Sequence, residues 1–119
     1  MARFRHVHSR IIDGERHVWN TERLWVLAAD LPVRRIAIEE IPEIDRDCWF
    51  GGRPPTIRAV AKHCRRIMAA DLDLPIILAA DGALMDGGHR IARALMEGVT
   101  HLPAVRFETM PPADVVEPA

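Results

Sequence analysis

The stretch from Pro75 to Gly98, PIILAADGALMDGGHRIARALMEG, constrains the fold more than any other, because it joins a hairpin signal directly to a glycine-rich helix start. Asp81-Gly82 lies between two apolar runs, Pro75 to Ala80 and Ala83 to Met85, and an Asp-Gly pair tolerates the positive φ of a tight hairpin turn. Two short strands are therefore expected. After Met85 the period changes: Ile91, Ala94 and Leu95 recur at helical spacing, and Gly98 stands where a left-handed cap would close a helix. A strand thus hands over to a helix, His89 to Glu97, through Asp86-Gly87-Gly88.

The first turn of a helix has backbone N–H groups without internal partners, and the helix dipole adds partial positive charge there. Two glycines let a ligand approach that backbone, and His89 and Arg90 add donors at the same place. Gly87, Gly88, His89 and Arg90 are therefore expected to seat an anion. Where that anion is a phosphate, a carboxylate beside it is the usual magnesium partner, and Asp86 is then the candidate for holding Mg²⁺ or orienting a water. The same residues also read as an N-cap, a tight turn and two solvated side chains.

Around this centre, residues 1–18 mix Arg3, Arg5, Arg10 and Arg16 with His6, His8 and His17 and keep no hydrophobic period. They read as an N-terminal arm with at most one short strand, bent at Asp13-Gly14. His6 and His8 share one face if extended and suit a metal, though no third ligand supports them. Asn20 then caps a helix whose apolar face is Leu24, Leu27, Ala28 and Leu31, and Pro32 stops it. Val33 to Ile38 reads as a strand. The following segment, EEIPEIDRDCWFGGRPP, is acidic and then rich in glycine and proline. A connection this long in so short a chain is more often functional than accidental. Within it, Arg53 is a further candidate phosphate contact, and Trp49 and Phe50 must cover either the core or a ligand.

Thr56 begins the clearest helical pattern, with Ile57, Val60, Ala61, Cys64, Ile67, Met68 and Leu72 predicted as one buried stripe. The other face carries Arg58, Lys62, His63, Arg65 and Arg66, which suits an acidic partner or simply water. Leu102 to Phe107 reads as the last strand, and residues 108–119 as an irregular tail. The whole is one domain over residues 19–107, an α/β (α+β) fold with a small mixed sheet, packed helices and an extra N-terminal helix.

Sixteen lysines and arginines against seventeen acids give a net charge of −1, which disfavours a protein held to nucleic acid by general basicity; DNA remains a partner only through the Arg58 to Arg66 face. Cys48 and Cys64 lack metal-ligand spacing and read as free thiols of a cytoplasmic protein. No apolar run reaches the length of a membrane span, so no membrane association is expected; a homo-oligomer is open.

The run PIIL..DGALMDGGHRIARALMEGVTHLPAVRF resembles the core of the ParB/sulfiredoxin-like superfamily, and the resemblance covers roughly Val33 to Phe107. There a hairpin leads into a Gly-x-His-Arg or Gly-Glu-Arg-Arg box that binds nucleotide phosphates: CTP in ParB proteins, ATP in sulfiredoxins, ADP in a related free-serine kinase. The resemblance implies a stand-alone nucleotide-binding domain, with ATP, ADP or CTP and Mg²⁺ as cofactors, and with phosphotransfer or nucleotide hydrolysis as its chemistry. In the kinase relatives a glutamate after the first strand is the base, and Glu43 or Glu40 corresponds. The alternative is a DNA- or protein-binding module related to chromosome partitioning. Gly88 stands where sulfiredoxins carry their catalytic cysteine, so sulfinic-acid reduction is not expected. Gly88-His89-Arg90 likewise differs from the Glu-Arg-Arg of ParB, a departure that bears on CTP binding. A ParB protein continues into a helix-turn-helix, which this sequence does not contain, so a partitioning role would take DNA specificity from a partner.

Overall fold

Period-two alternation builds the centre of the molecule. Ile76, Leu78, Leu102 and Ala104 turn to one face of a sheet and Ile77, Ala79, Val105 and Phe107 to the other, and all eight are buried. The computed structural model describes residues 4–119; Met1 to Arg3, the beginning of the expected arm, lie outside the described residues. Along the chain run β1 (Val7–Ile12), β2 (Glu15–Asn20), α1 (Thr21–Ala28), β3 (Arg34–Ala37), α2 (Ile57–Met68), β4 (Ile76–Leu78), β5 (Leu84–Asp86), α3 (Gly88–Glu97), β6 (His101–Arg106) and β7 (Val115–Pro118). Two short 3-10 turns, Ile38–Glu40 and Pro42–Asp45, follow β3.

The fold is mixed α+β with two sheets. The four-stranded sheet has the order β3-β6-β4-β5, with β4 parallel to β6 and the other pairs antiparallel. The parallel pair is joined through β5 and α3, and both of its faces are covered, as a parallel pair requires. Trp19 and the α1 residues Leu24 and Ala28 close one face; α3, through Ile91 and Ala94, closes the other together with Ile38 and Ile41. Asn20 caps α1 as its sequence predicts, its Oδ1 accepting from Glu22 N at 3.1 Å, although Leu27 is exposed rather than part of the buried face.

The expected arm is in fact structured. Residues 7–20 form an antiparallel hairpin whose turn, Asp13-Gly14, has φ of 51° and 80°, the double positive φ of a two-residue hairpin turn. The expected irregular tail supplies its third strand, because β7 pairs antiparallel with β2. Polar contacts fasten that tail: Trp19 Nε1 donates to Pro111 O at 2.8 Å, Asn20 N donates to Asp114 Oδ2 at 2.8 Å, and Arg23 pairs with Asp114 at 3.2 Å. Alternating short runs such as His-Val-Trp and Val-Val-Glu carry too few apolar residues to announce strands, and β7 finds its partner β2 only across most of the chain, Val115 against Val18.

α2 packs otherwise than its sequence predicts. Thr56 caps it, its Oγ1 accepting from Ala59 N at 3.1 Å. Of the predicted buried stripe only Ile67 is buried within the helix, while Ile57 is 92% exposed and Met68 61%. Cys64, expected as a small buried hydrophobe, is exposed as well. The helix seats on the body by its flank, the ridge Ala59, His63, Ile67, because its neighbour is α3 and not a sheet face.

Candidate anion-binding cleft

The start of α3 opens into a cleft of about 910 Å³. β5 ends on Asp86, Gly87 acts as helix N-cap, and Gly88 begins the helix. Gly87 has φ 118°, and a Cβ there would stand 2.5 Å from Ile76 Cγ2, so the position excludes a side chain by conformation and by space. No side chain caps α3, which leaves its first-turn N–H groups for another acceptor. The helix closes on Gly98 at φ 74°, the left-handed cap that the sequence predicts.

Glu43, Asp86, Gly87, Gly88, His89 and Arg90 all line the cleft. Arg53 does not; its backbone N–H donates to Phe50 O at 3.1 Å in a turn of the connecting loop. The two glutamates weighed as a base are separated by the fold, since Glu40 lines a different cavity of about 550 Å³ beside Arg34 and Arg106.

Asp86 and Arg90 are tied into the scaffold. Trp25 Nε1 donates to Asp86 Oδ2 at 2.9 Å, and Arg90 Nη1 lies 3.6 Å from the same oxygen. The Arg90 guanidinium sits 5.1 Å from the Trp25 ring centroid and donates to Pro75 O at 3.5 Å. Arg90 therefore ties α3 to α1, to the end of β5 and to the residue ahead of β4.

His89 is neutral. Its Nε2 lies 2.8 Å from His63 Nδ1, so one ring donates and the other accepts. With centroids 5.1 Å apart the two imidazoles meet edge to edge, and the Trp49 indole lies flat over both, at 4.7 Å and 4.8 Å with interplanar angles of 12° and 7°. Burial under this cover, with His63, Arg66 and Arg90 nearby, pushes the His89 pKa down to about 4. Burial, with Arg66 and Lys62, lowers that of His63 also. Phe50 meets the edge of the group, 5.5 Å from the His63 ring.

The connecting loop is folded to deliver Trp49. Asp47 accepts from the backbone N–H groups of Trp49, Phe50 and Gly52 at 3.0, 2.8 and 2.7 Å, which holds the turn and draws the Asp47 carboxyl below its ordinary pKa. The indole then rests on the start of α3: a Cβ at Gly88 would lie 3.3 Å from Trp49 Nε1. The second glycine thus makes room for the protein's own aromatic cover.

Arg46 was not singled out from sequence, and Arg66 and His8 were read in other settings, the basic face of α2 and the N-terminal arm. Arg46 and Arg66 line the cleft and, among the described residues, neither is in an ion pair. His8 Nε2 and Glu43 Oε1 are buried at the cleft without a hydrogen-bond partner among the described residues. Burial, with Arg10, lowers the His8 pKa to about 4. Cys48 also lines the cleft, but burial, with Glu43 and Asp47, pushes its thiol up, away from the nucleophilic thiolate. No hydrophobic period or short motif marks these positions; only a chain path that brings β1, the connecting loop and α2 to α3 assembles them.

A metal centre built from protein ligands does not fit this donor set. Among the described residues no three carboxylate, histidine or cysteine groups converge, and the Asp86 carboxylate is already paired with Arg90. No helix among the described residues is long and apolar enough to cross a membrane. Comparison with protein-family models, with curated proteins and with solved structures gave no match to this chain.

Proposed function

We propose that this protein binds a phosphate-bearing small molecule, a nucleotide, in the cleft at the start of α3. The observation that carries the proposal is the coincidence, in one cleft, of an uncapped helix start with two arginines that, among the described residues, have no carboxylate partner. Backbone N–H groups and guanidinium forks are the donors phosphate oxygens prefer. Arg46 and Arg66 approach from the connecting loop and α2, and Arg90 from α3 itself, so a phosphate group meets cations from three segments. The orphaned Glu43 and His8 atoms suit the sugar or base, whose hydroxyl and amino groups would satisfy them. Should the protein also turn its ligand over by phosphotransfer or hydrolysis, Glu43 would serve as the base, its Oε1 being at the cleft with no hydrogen-bond partner among the described residues. The reading uses phosphate contacts alone and routes no step through magnesium.

Titration calorimetry with ATP, ADP, CTP and inorganic phosphate tests it. At least one nucleotide should bind, and Arg66→Ala should weaken it about tenfold, the loss of a charge-assisted hydrogen bond. Absence of heat for all four ligands at millimolar concentration would remove the reading.

A further inference from the structure

The helix α2 presents three ridges of different chemistry. Ala59, His63 and Ile67, at i, i+4 and i+8, face the body of the protein. Arg58, Lys62 and Arg65 form a second ridge, exposed throughout, and among the described residues none of the three is paired with a carboxylate. Ile57, Ala61, Cys64 and Met68, at i, i+4, i+7 and i+11, form the third, and all four are exposed. The helix contains no acidic residue. At 1.5 Å of rise per residue, an apolar row about 16 Å long therefore runs beside a row of cations about 10 Å long that are unpaired among the described residues.

We propose that this outer face of α2 is a docking surface for an acidic amphipathic helix of another protein. An apolar stripe on the partner covers Ile57, Cys64 and Met68, and glutamates or aspartates along its edge meet Arg58, Lys62 and Arg65. Charge decides among the occupants. In a symmetric antiparallel pairing of two α2 helices the cationic rows would lie side by side and repel, so a second copy fits poorly. A nucleic-acid backbone would satisfy the cations but leave the apolar row against phosphates, with no gain from its burial. An acidic helix satisfies both rows at once. The surface lies apart from the cleft: its ridges use Ile57, Lys62, Arg65 and Met68, none of which lines the cleft.

The probe is a fluorescent synthetic peptide of about 15 residues, long enough for a stable bound helix, with leucines at helical spacing and glutamates elsewhere. Its controls are a scrambled peptide of the same composition and a version with every glutamate replaced by lysine. Anisotropy with the full chain should show binding of the patterned acidic peptide and weak or no binding of both controls. Met68→Asp should weaken binding about tenfold or more, as should Ile57→Asp, which places a carboxylate at a helix start and so favours the helix itself. The double variant Lys62→Glu, Arg65→Glu should lose the acidic peptide and take up the lysine version. All these positions are exposed, so the variants should keep their unfolding midpoints. The proposal is overturned if the patterned acidic peptide does not bind, or if the scrambled peptide binds equally well. It is also overturned if the chain self-associates through a contact that Met68→Asp abolishes, or if duplex DNA displaces the peptide and keeps its affinity in the Met68→Asp variant.

Discussion

Two helices of this protein are amphipathic in much the same degree, and the fold uses them in opposite ways. α3 turns Ile91 and Ala94 into a sheet face and is closed at both ends by left-handed glycines. α2 follows an equally regular apolar pattern yet leaves most of it in water, because the neighbour it meets is the outer side of α3. A hydrophobic period says that a helix has an apolar face; it does not say that the same chain provides something to cover it. The buried helix positions the candidate site, and the exposed one carries the unsatisfied surface.

The largest test of that contrast is Gly87→Ala. The new methyl group meets a fully buried isoleucine and the residue keeps a positive φ, so a loss of about 2–4 kcal/mol in urea unfolding is expected. A loss under about 0.5 kcal/mol would mean that β5 and α3 are joined differently. Next in size is the pair Ile91→Ala and Met68→Ala. The first removes buried volume from the sheet-facing stripe and should cost about 2–4 kcal/mol, the second should stay within about 0.5 kcal/mol. Equal losses would erase the distinction between the two helices and show that the α2 stripe is covered in solution.

The smallest effect sharpens how the two helices meet. His89 on α3 and His8 on β1 titrate near 4 in the folded protein against an ordinary value of 6.5. Between these values the unfolded chain takes up protons that the folded chain refuses. The stabilising contribution is therefore complete above pH 6.5 and is lost as pH falls toward 4. Thermal unfolding midpoints should decline through that window, and His89→Gln should make the decline shallower. In Trp49→Ala the indole no longer covers the imidazoles, and an NMR titration should find the His89 pKa raised toward its ordinary value. An unchanged His89 titration in that variant would separate the indole from the histidine pair.

The legible part of the fold was the part coded locally. Asp81-Gly82, Gly87 and Gly98 each act on the few residues around them, so the β4-β5 hairpin, the start of α3 and its end follow from short-range rules. Of the site, the segment from Asp86 to Arg90 was legible for the same reason. Residues 115–118 were not, since they form a strand only against the distant β2; residues 7–20 do close locally at Asp13-Gly14, but their mixed arginines and histidines keep no apolar alternation to announce two strands. His63 and Arg66 were opaque as site residues because their roles depend on which ridge of α2 faces α3, and Arg46 and Trp49 because theirs depend on how the connecting loop folds about Asp47. The choice of ridge is made by packing: the one that meets α3 is Ala59, His63 and Ile67, a flank of the apolar stripe, and it is this seating that brings His63 to His89.

The pairing of β2 with β7 has a consequence for how the molecule comes together and apart. β4, β5, α3 and β6 lie within about thirty consecutive residues, and short loops close quickly and cheaply. The three-stranded sheet instead links Val18 to Val115, nearly the whole length of the chain. Its closure is therefore expected to come late in folding and to open early, as a local event that leaves the four-stranded sheet in place. Hydrogen exchange would then show amides of β7 and the facing edge of β2 trading with solvent well before those of β4 and β6. His8 rides on the hairpin that this strand completes, so the cleft would loosen from that side first.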